Sequence, residues 1–415
     1  MTAVIVPSAQ PRTEPSTNRK EVGTGGQVAV ASRPAGIRVE LTPLAQLAGP
    51  ERATWDALFE AQQGVANPFC APEWVEAWYE TFTEAADRFV FTVREGDRLI
   101  AVAPFFRSKV ASHRVTVARR LQLVGAGQGG SLLELPQILA APGREREALR
   151  ETVTATLATN TGAHWVEASV TPAMAWFEGQ WVKGTGQPVA FHRHQMSRAC
   201  VIVPLDGSWL TTRSGLKRNV KESLRRAKNR IAKDGRSWAV REHAETLDGT
   251  VIDRFLALHR SRAQQEDSSS KHPDAFADEA RRECLHRALP KLGAKGRARI
   301  LELELAGEIV AAQLVLHAPG LSYIHSSGFL PDVWNLGPVT FLQGEAISAA
   351  ADRGEQWINM SPGPHVAKLR WSEQVDVHHD FAYGAGGRSL RWRYAAFAAA
   401  QTQGEVNHAI ELGAS

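Results

Sequence analysis

Between residues 299 and 371 the polar and apolar positions lay out a complete α/β unit. The run Ile300-Leu301-Glu302-Leu303-Glu304-Leu305 alternates, Ala306-Gly307-Glu308 breaks it, and an apolar run returns over 309–316. Alternation on both sides of a glycine-containing turn predicts a β-hairpin. A strand is predicted over 321–329, followed by Pro331, Gly337 and Pro338. Next come an amphipathic helix over 339–352, stopped by Gly354, and a buried strand over 356–360. A loop rich in proline and glycine, 361–371, closes the unit.

The preceding half carries the same grammar. Residues 1–35, broken by Pro7, Pro11, Pro15 and glycines 23 to 26, predict a disordered tail. Order begins with a strand over 37–41. Trp55, Leu58, Phe59 and Ala61 then recur at helical spacing, and Asn67-Pro68-Phe69 ends that helix. Pro72 starts another, with Trp74, Ala77 and Trp78 on one face. A hairpin is predicted from 89–93 and 99–106 around Glu95-Gly96-Asp97. Strands over 121–124 and 132–135 flank a glycine-rich loop, 125–130, and a helix over 145–159 leads to a strand over 164–169. His164-Trp165-Val166-Glu167 matches Gln356-Trp357-Ile358-Asn359 in shape. The match of hairpins and of these strands implies two copies of one α/β fold. The boundary falls near 196–201, giving a first domain over 36–198, a second over 199–388 and a C-terminal helix and tail over 389–415.

Composition narrows the class. The 415 residues suit two domains, and 43% hydrophobic content suffices for two cores. Cys70, Cys200 and Cys284 are far apart, which indicates buried thiols and a reducing compartment instead of a disulfide framework. No metal-ligand spacing occurs, so no metal is expected. No apolar run reaches the roughly 18 residues of a membrane span, and no secretory pattern opens the chain, so a cytoplasmic location is expected. The net charge of +4, from 48 basic and 44 acidic residues, is mild. Its placement is not: Lys217, Arg218, Lys221, Arg225, Arg226, Lys228, Arg230 and Lys233 surround an apolar stripe of Leu216, Val220, Leu224, Ala227 and Ile231. Such a helix either packs on the sheet with a solvated face or offers a platform to a polyanion such as CoA phosphates, tRNA or an anionic polymer.

These motifs together resemble the cellulose-biosynthesis-type (CelD-like) acyltransferases, a family of tandem GNAT domains. The resemblance is carried by Trp55-Asp56-Ala57-Leu58, Ala66-Asn67-Pro68-Phe69, Pro72-Glu73-Trp74, the basic segment 216–235, Leu258-His259-Arg260 and Lys368-Leu369-Arg370-Trp371. The architecture is also similar to the Fem-type aminoacyl-tRNA-dependent transferases. The resemblance implies a mixed twisted sheet flanked by helices in each domain, with acyl-CoA as co-substrate. The pyrophosphate loop of such folds is represented here by Trp334-Asn335-Leu336-Gly337-Pro338, with one glycine and no arginine. The free amides of the following helix, near Gly337 and Val339, still suit phosphate.

Acyl transfer needs a held thioester, a base and donors to the oxyanion. On the strand 321–329, Tyr323 and His325 share a face by period two. His325 is a candidate base with Tyr323 as proton donor to the thiolate, or both are core residues with satisfied polar tips. Glu304 on the hairpin is an alternative base, and Ser326 and Ser327 line the donor cleft. Asn359, Ser361, His365, Lys368 and Arg370 are candidate contacts to the acceptor or to a phosphate. Three functions remain open: acyl transfer from a thioester to an amine or hydroxyl on a small-molecule or polymer acceptor, aminoacyl transfer from charged tRNA, and non-catalytic binding of a polyanion.

Overall fold

The computed structural model describes residues 36–112, 115–126, 132–171, 191–265, 273–385 and 388–413. The expected disordered tail and most of the glycine-rich loop lie outside them. Within them the fold is mixed α/β: one continuous sheet of thirteen strands with helices on its faces. The first half contributes β1 (Ile37–Thr42), β2 (Arg88–Glu95), β3 (Arg98–Ser112), β4 (Val115–Leu123), β5 (Leu139–Ala140), β6 (Trp165–Val170) and β7 (Phe191–Pro204). Its helices are α1 (Leu44–Ala48), α2 (Arg52–Glu60), α3 (Pro72–Phe82) and α4 (Glu145–Ala158). The second half has α5 (Trp209–Gly215), α6 (Arg218–Lys233), β8 (Trp238–His243), α7 (Gly249–Ala263) and α8 (Glu279–Gly293). It continues with β9 (Ala298–Leu305), β10 (Glu308–Ala318), β11 (Leu321–Phe329), α9 (Pro338–Asp352), β12 (Trp357–Pro362), α10 (Val366–Leu369), β13 (Val375–Gly384) and α11 (Arg388–Gly413).

The two halves repeat one topology. In the first, β1-β2-β3-β4 are antiparallel neighbours and β6 joins β4 in parallel. In the second, β8-β9-β10-β11 are antiparallel and β12 joins β11 in parallel. The hairpins β2–β3 and β9–β10 therefore hold equivalent places, as the sequence implies. The ends of the halves are exchanged. β7 closes the first half in sequence yet pairs with β12, while β13, from the second half, pairs with β6. β7 and β13 lie side by side and join the two sheets. The expected boundary thus falls inside an unbroken strand and not at a linker.

Two other expectations are corrected. Residues 132–135 form no strand: Leu133 adopts a left-handed φ of 63°, and the segment turns instead of extending. The basic segment is interrupted at Leu216 and Lys217, which separate α5 from α6. Its stripe packs as patterned, with Leu216, Val220, Ala227 and Ile231 buried in one core beneath α9. A second core draws on both halves, setting Phe69, Trp74 and Trp78 with Phe255, Leu285 and Tyr323. Ion pairs reinforce that seam. Arg297, at the edge of β9, binds Asp56 and Glu73 at 2.9 and 2.7 Å and Glu60 at 2.6 Å.

Candidate functional site

The parallel ladder between β11 and β12 lasts three pairs, Leu321 with Trp357, Ser322 with Ile358 and Tyr323 with Asn359. Beyond Asn359 the ladder with β11 ends, while β12 stays paired on its other edge with β7. On its other side β11 slips register against β10: Val315 faces Ile324, Leu314 faces Ser326, and His325 is the extra residue. A bulge of this kind re-aims side chains at a functional edge. The wedge between β11 and β12 is the opening that the repeated unit creates in the second half.

The structure places the β11 candidates away from that opening. His325 Nε2 donates to the Leu132 carbonyl at 2.6 Å, and Tyr323 donates its hydroxyl to the Leu133 carbonyl at 2.6 Å. Phe69, Trp74 and Phe276 surround the imidazole. Burial pulls its pKa down to about 4 and pushes the Tyr323 phenol well up. Both side chains therefore clasp the 132–134 turn. Ser327 is engaged by α7: His259 Nδ1 lies 3.1 Å from its carbonyl, and Arg262 donates to its hydroxyl at 2.6 Å. The Ser326 carbonyl accepts from Gln313 at 2.8 Å. Gly328 permits this packing, since a Cβ there would come within 2.2 Å of the His259 nitrogen. Glu304 pairs with Arg241 on β8, and β9 is separated from β11 by β10.

Other expected residues do gather. α9 starts at Pro338 after Gly337, whose left-handed φ of 73° turns the chain into the helix, and its first turn carries no acid. Val339 lies in that turn. Arg370 reaches the turn as well, donating to Thr340 Oγ1 at 3.4 Å, with its Nε enclosed and without a hydrogen-bond partner. Burial lowers the Arg370 pKa, which reflects the cost of holding this cation in place without a counter-ion. On the other side, α6 is pinned to the loop by Arg230, which donates to the Asn335 carbonyl at 2.6 Å. The start of α9 thus has free helix amides and the positive end of a helix dipole, with Arg370 bonded to its first turn and Arg230 to the segment before it.

The end of β12 is a compact polar knot. Asn359 Oδ1 accepts the Ser361 amide at 2.9 Å, and Ser361 holds a φ of 63°. The Lys368 ammonium ties the loop by donating to Ser361 O at 3.1 Å, Ser361 Oγ at 3.0 Å and Pro362 O at 2.7 Å. Burial lowers its pKa to about 8. The amide nitrogen of Asn359 is enclosed and has no hydrogen-bond partner, with the Cys200 thiol beside it. Burial drives that thiol up to about 12, so it is not a thiolate nucleophile. His365 is exposed on the rim, lowered first by partial burial and then by the Lys368 charge.

Sequence reasoning missed the residues next to this knot. Across β7 and β13, Asp376 faces Cys200 and His378 faces Arg198. His378 Nε2 lies 2.9 Å from Asp376 Oδ2, and its Nδ1 is enclosed with no hydrogen-bond partner. Arg198 pairs with Asp380 at 2.5 Å, and Ser169 donates to the same carboxylate at 2.6 Å. Glu134 is also buried, its carboxyl raised by burial to about 8, and it accepts the Leu132 amide. Asp-x-His on a strand signals one shared face by period two, but its partner strand is remote in sequence. Among the described residues no group of three or more His, Cys, Asp and Glu side chains is placed to hold a metal. No described helix is long and apolar enough to cross a membrane.

Comparison with known proteins accords with this geometry. Residues 218–369 match the family model of the acetyltransferase (GNAT) domain. The fold is similar to the crystal structure of FemX, at 11% identity and a TM-score of 0.53, covering 79% of this chain and 95% of that one. A C-terminal domain of a putative lysylphosphatidylglycerol synthetase from Agrobacterium fabrum aligns at 11% identity and TM-score 0.49, over 84% of this chain and 94% of that one. A tandem GNAT protein from the clavulanic acid biosynthesis pathway aligns at 11% identity and TM-score 0.41, over 85% and 99% of the two chains. A search of curated protein sequences finds no match. The family match and the FemX likeness define a GNAT-type fold.

Proposed function

We propose that this chain is an acyltransferase that moves an acyl group from acyl-CoA to an amine or hydroxyl acceptor. The observation that carries the reading is the anion site at α9. Gly337, the acid-free first turn, Arg370 and Arg230 come together around the start of the helix that links β11 to β12. In that reading the pyrophosphate rests on the amides around Val339 and the pantetheine arm runs into the wedge. Asn359 offers its unpaired amide N–H to the thioester or acceptor carbonyl, with the Ser361–Lys368 knot holding it in place. Tyr323 and His325 contribute by fixing the 132–134 turn, and His365 borders the acceptor entrance. The CelD-like resemblance favours the same donor.

Calorimetric titration of the full chain with acetyl-, octanoyl- and palmitoyl-CoA tests the proposal. Binding of at least one, weakened by Arg370→Gln, is expected; failure of all three to bind would sink it. A second reading, with charged tRNA as donor, draws on Arg218, Lys228 and Lys233, which have no acidic partner among the described residues. By contrast Lys217 pairs with Glu373, and Arg225 and Arg226 pair with Glu222. Retention of charged tRNA with a steep salt dependence, and no CoA binding, would favour that donor. Polyanion binding without turnover would leave a non-catalytic module.

A further inference from the structure

We propose that His378, oriented by Asp376, is the catalytic base that takes the proton from the acceptor; this rests on the acyltransferase reading and names the group it leaves open. On β13, residues 376 and 378 share a face, and the 2.9 Å contact between His378 Nε2 and Asp376 Oδ2 joins them. A carboxylate on Nε2 holds the proton there and leaves Nδ1 as a lone pair. That nitrogen is enclosed without a partner, although leaving a buried polar atom unpaired is destabilising. The cost is explained if a substrate N–H or O–H completes the contact.

Position supports the role. Asp376 faces Cys200 across the β7–β13 ladder, and Cys200 lies beside Asn359 at the wedge. From β12 to β13 is two strand spacings, roughly 10 Å, a span that an acceptor can bridge. The charged groups around the imidazole are Arg198 opposite it, Asp380 two residues on, and Asp376 itself. The Lys368 charge is near enough to act on Cys200. The Asp376 carboxylate touches the imidazole directly, and Arg198 is paired with Asp380. The other bases fit poorly: His325 is closed in by aromatic rings, Glu304 is paired on β8, and Glu134 is held towards its neutral form by burial.

The step balances without another reactant. The acceptor nitrogen or oxygen bonds to the thioester carbonyl carbon, its proton passes to His378 Nδ1, and collapse of the tetrahedral adduct breaks the C–S bond. The CoA thiolate leaves and recovers a proton, and the imidazolium returns its own to solvent.

Long-range proton–nitrogen NMR on the full chain with labelled histidine reads the tautomer, with His378→Gln assigning the signal. An unprotonated Nδ1 at neutral pH is expected, and its loss in Asp376→Asn; a protonated Nδ1 in the wild type overturns the proposal. Thiol release from acetyl-CoA with ethanolamine, which offers both an amine and a hydroxyl, gives the kinetic arm. His378→Gln should lower kcat by a hundredfold or more while calorimetric affinity for acetyl-CoA stays unchanged. In Asp376→Asn the acid limb of the pH–rate profile should move as well as the rate. Equal kcat in wild type and His378→Gln overturns the proposal. A wild type that binds no acyl-CoA refutes the donor assignment instead, and leaves the tautomer result standing.

Discussion

The two wedges of the sheet share a topology and differ in what fills them. In the first half the parallel ladder β4–β6 also lasts three pairs, ending at Gln122 with Glu167. Glu167 there receives Arg120 at 3.0 Å, Gln122 at 2.8 Å and the Trp165 indole at 2.8 Å. α11 then covers the network, placing Phe397 against Trp165 and 4.9 Å from the Arg120 guanidinium. The equivalent residue in the second half is Asn359, neutral, shorter and with its amide nitrogen unpaired. The following helices diverge in the same sense. α4 opens with Glu145 and Glu147, and Arg144 is spent on Glu95 and Glu147. α9 opens with no acid and has arginines free of carboxylates beside it. One copy fills its wedge with a charged network under α11, and the other has a neutral amide there and arginines at the start of α9.

The largest way to strain this comparison is at the seam both wedges depend on. Arg297→Met leaves Glu73 and Asp56 with fewer counter-charges in a buried network, so a loss of about 3–5 kcal/mol is expected in urea unfolding. The pH response follows from the same groups. Burial would raise Glu73, but Arg297 and Arg52 reverse this and leave it below the usual carboxylate range. Its contribution is therefore present above the unfolded pKa of about 4.3 and lost as pH falls through the lower folded value. Unfolding midpoints measured from pH 6 to pH 3 should decline in the wild type and decline less in Arg297→Met.

A smaller effect separates the wedges themselves. Glu167→Ala should cost about 3 kcal/mol, because it strands a half-buried guanidinium, a buried amide and a buried indole. Asn359→Ala removes one hydrogen bond to Ser361 and should cost only about 1 kcal/mol, yet turnover with acyl-CoA should fall. Equal stability losses at the two positions would erase the distinction. Of similar size, but read in binding and not in folding, is Arg370→Gln: CoA affinity should drop about tenfold, near 1.4 kcal/mol. The salt dependence should flatten by about one counter-ion. Reversing Arg144, the residue before α4, should leave CoA affinity unchanged.

Much of the scaffold was legible because it is written in local periods. The β2–β3 and β9–β10 hairpins and the stripe of α6 follow from alternation and helical spacing in contiguous residues. The segment 132–135 misled for the same reason: its apolar spacing resembles a strand, but the left-handed Leu133 and the carbonyls given to Tyr323 and His325 make it a turn. The exchange of β7 and β13 is invisible to any local rule, since its partners lie far apart in sequence. The candidate site suffers likewise. Gly337 and Arg370 stood out by residue type, whereas His378 became a candidate only once its ladder with β7 put it beside Cys200 and Arg198.

That exchange also sets a clock on biosynthesis. Arg198 and Asp380 are 182 positions apart, so at about 5–20 residues per second a ribosome takes roughly 10–40 s to deliver the second after the first. Throughout that interval the first half holds an incomplete sheet, with β6 exposing an unpaired edge that β13 alone fills. The sheet of the N-terminal half is therefore completed only once the C-terminal strand has emerged.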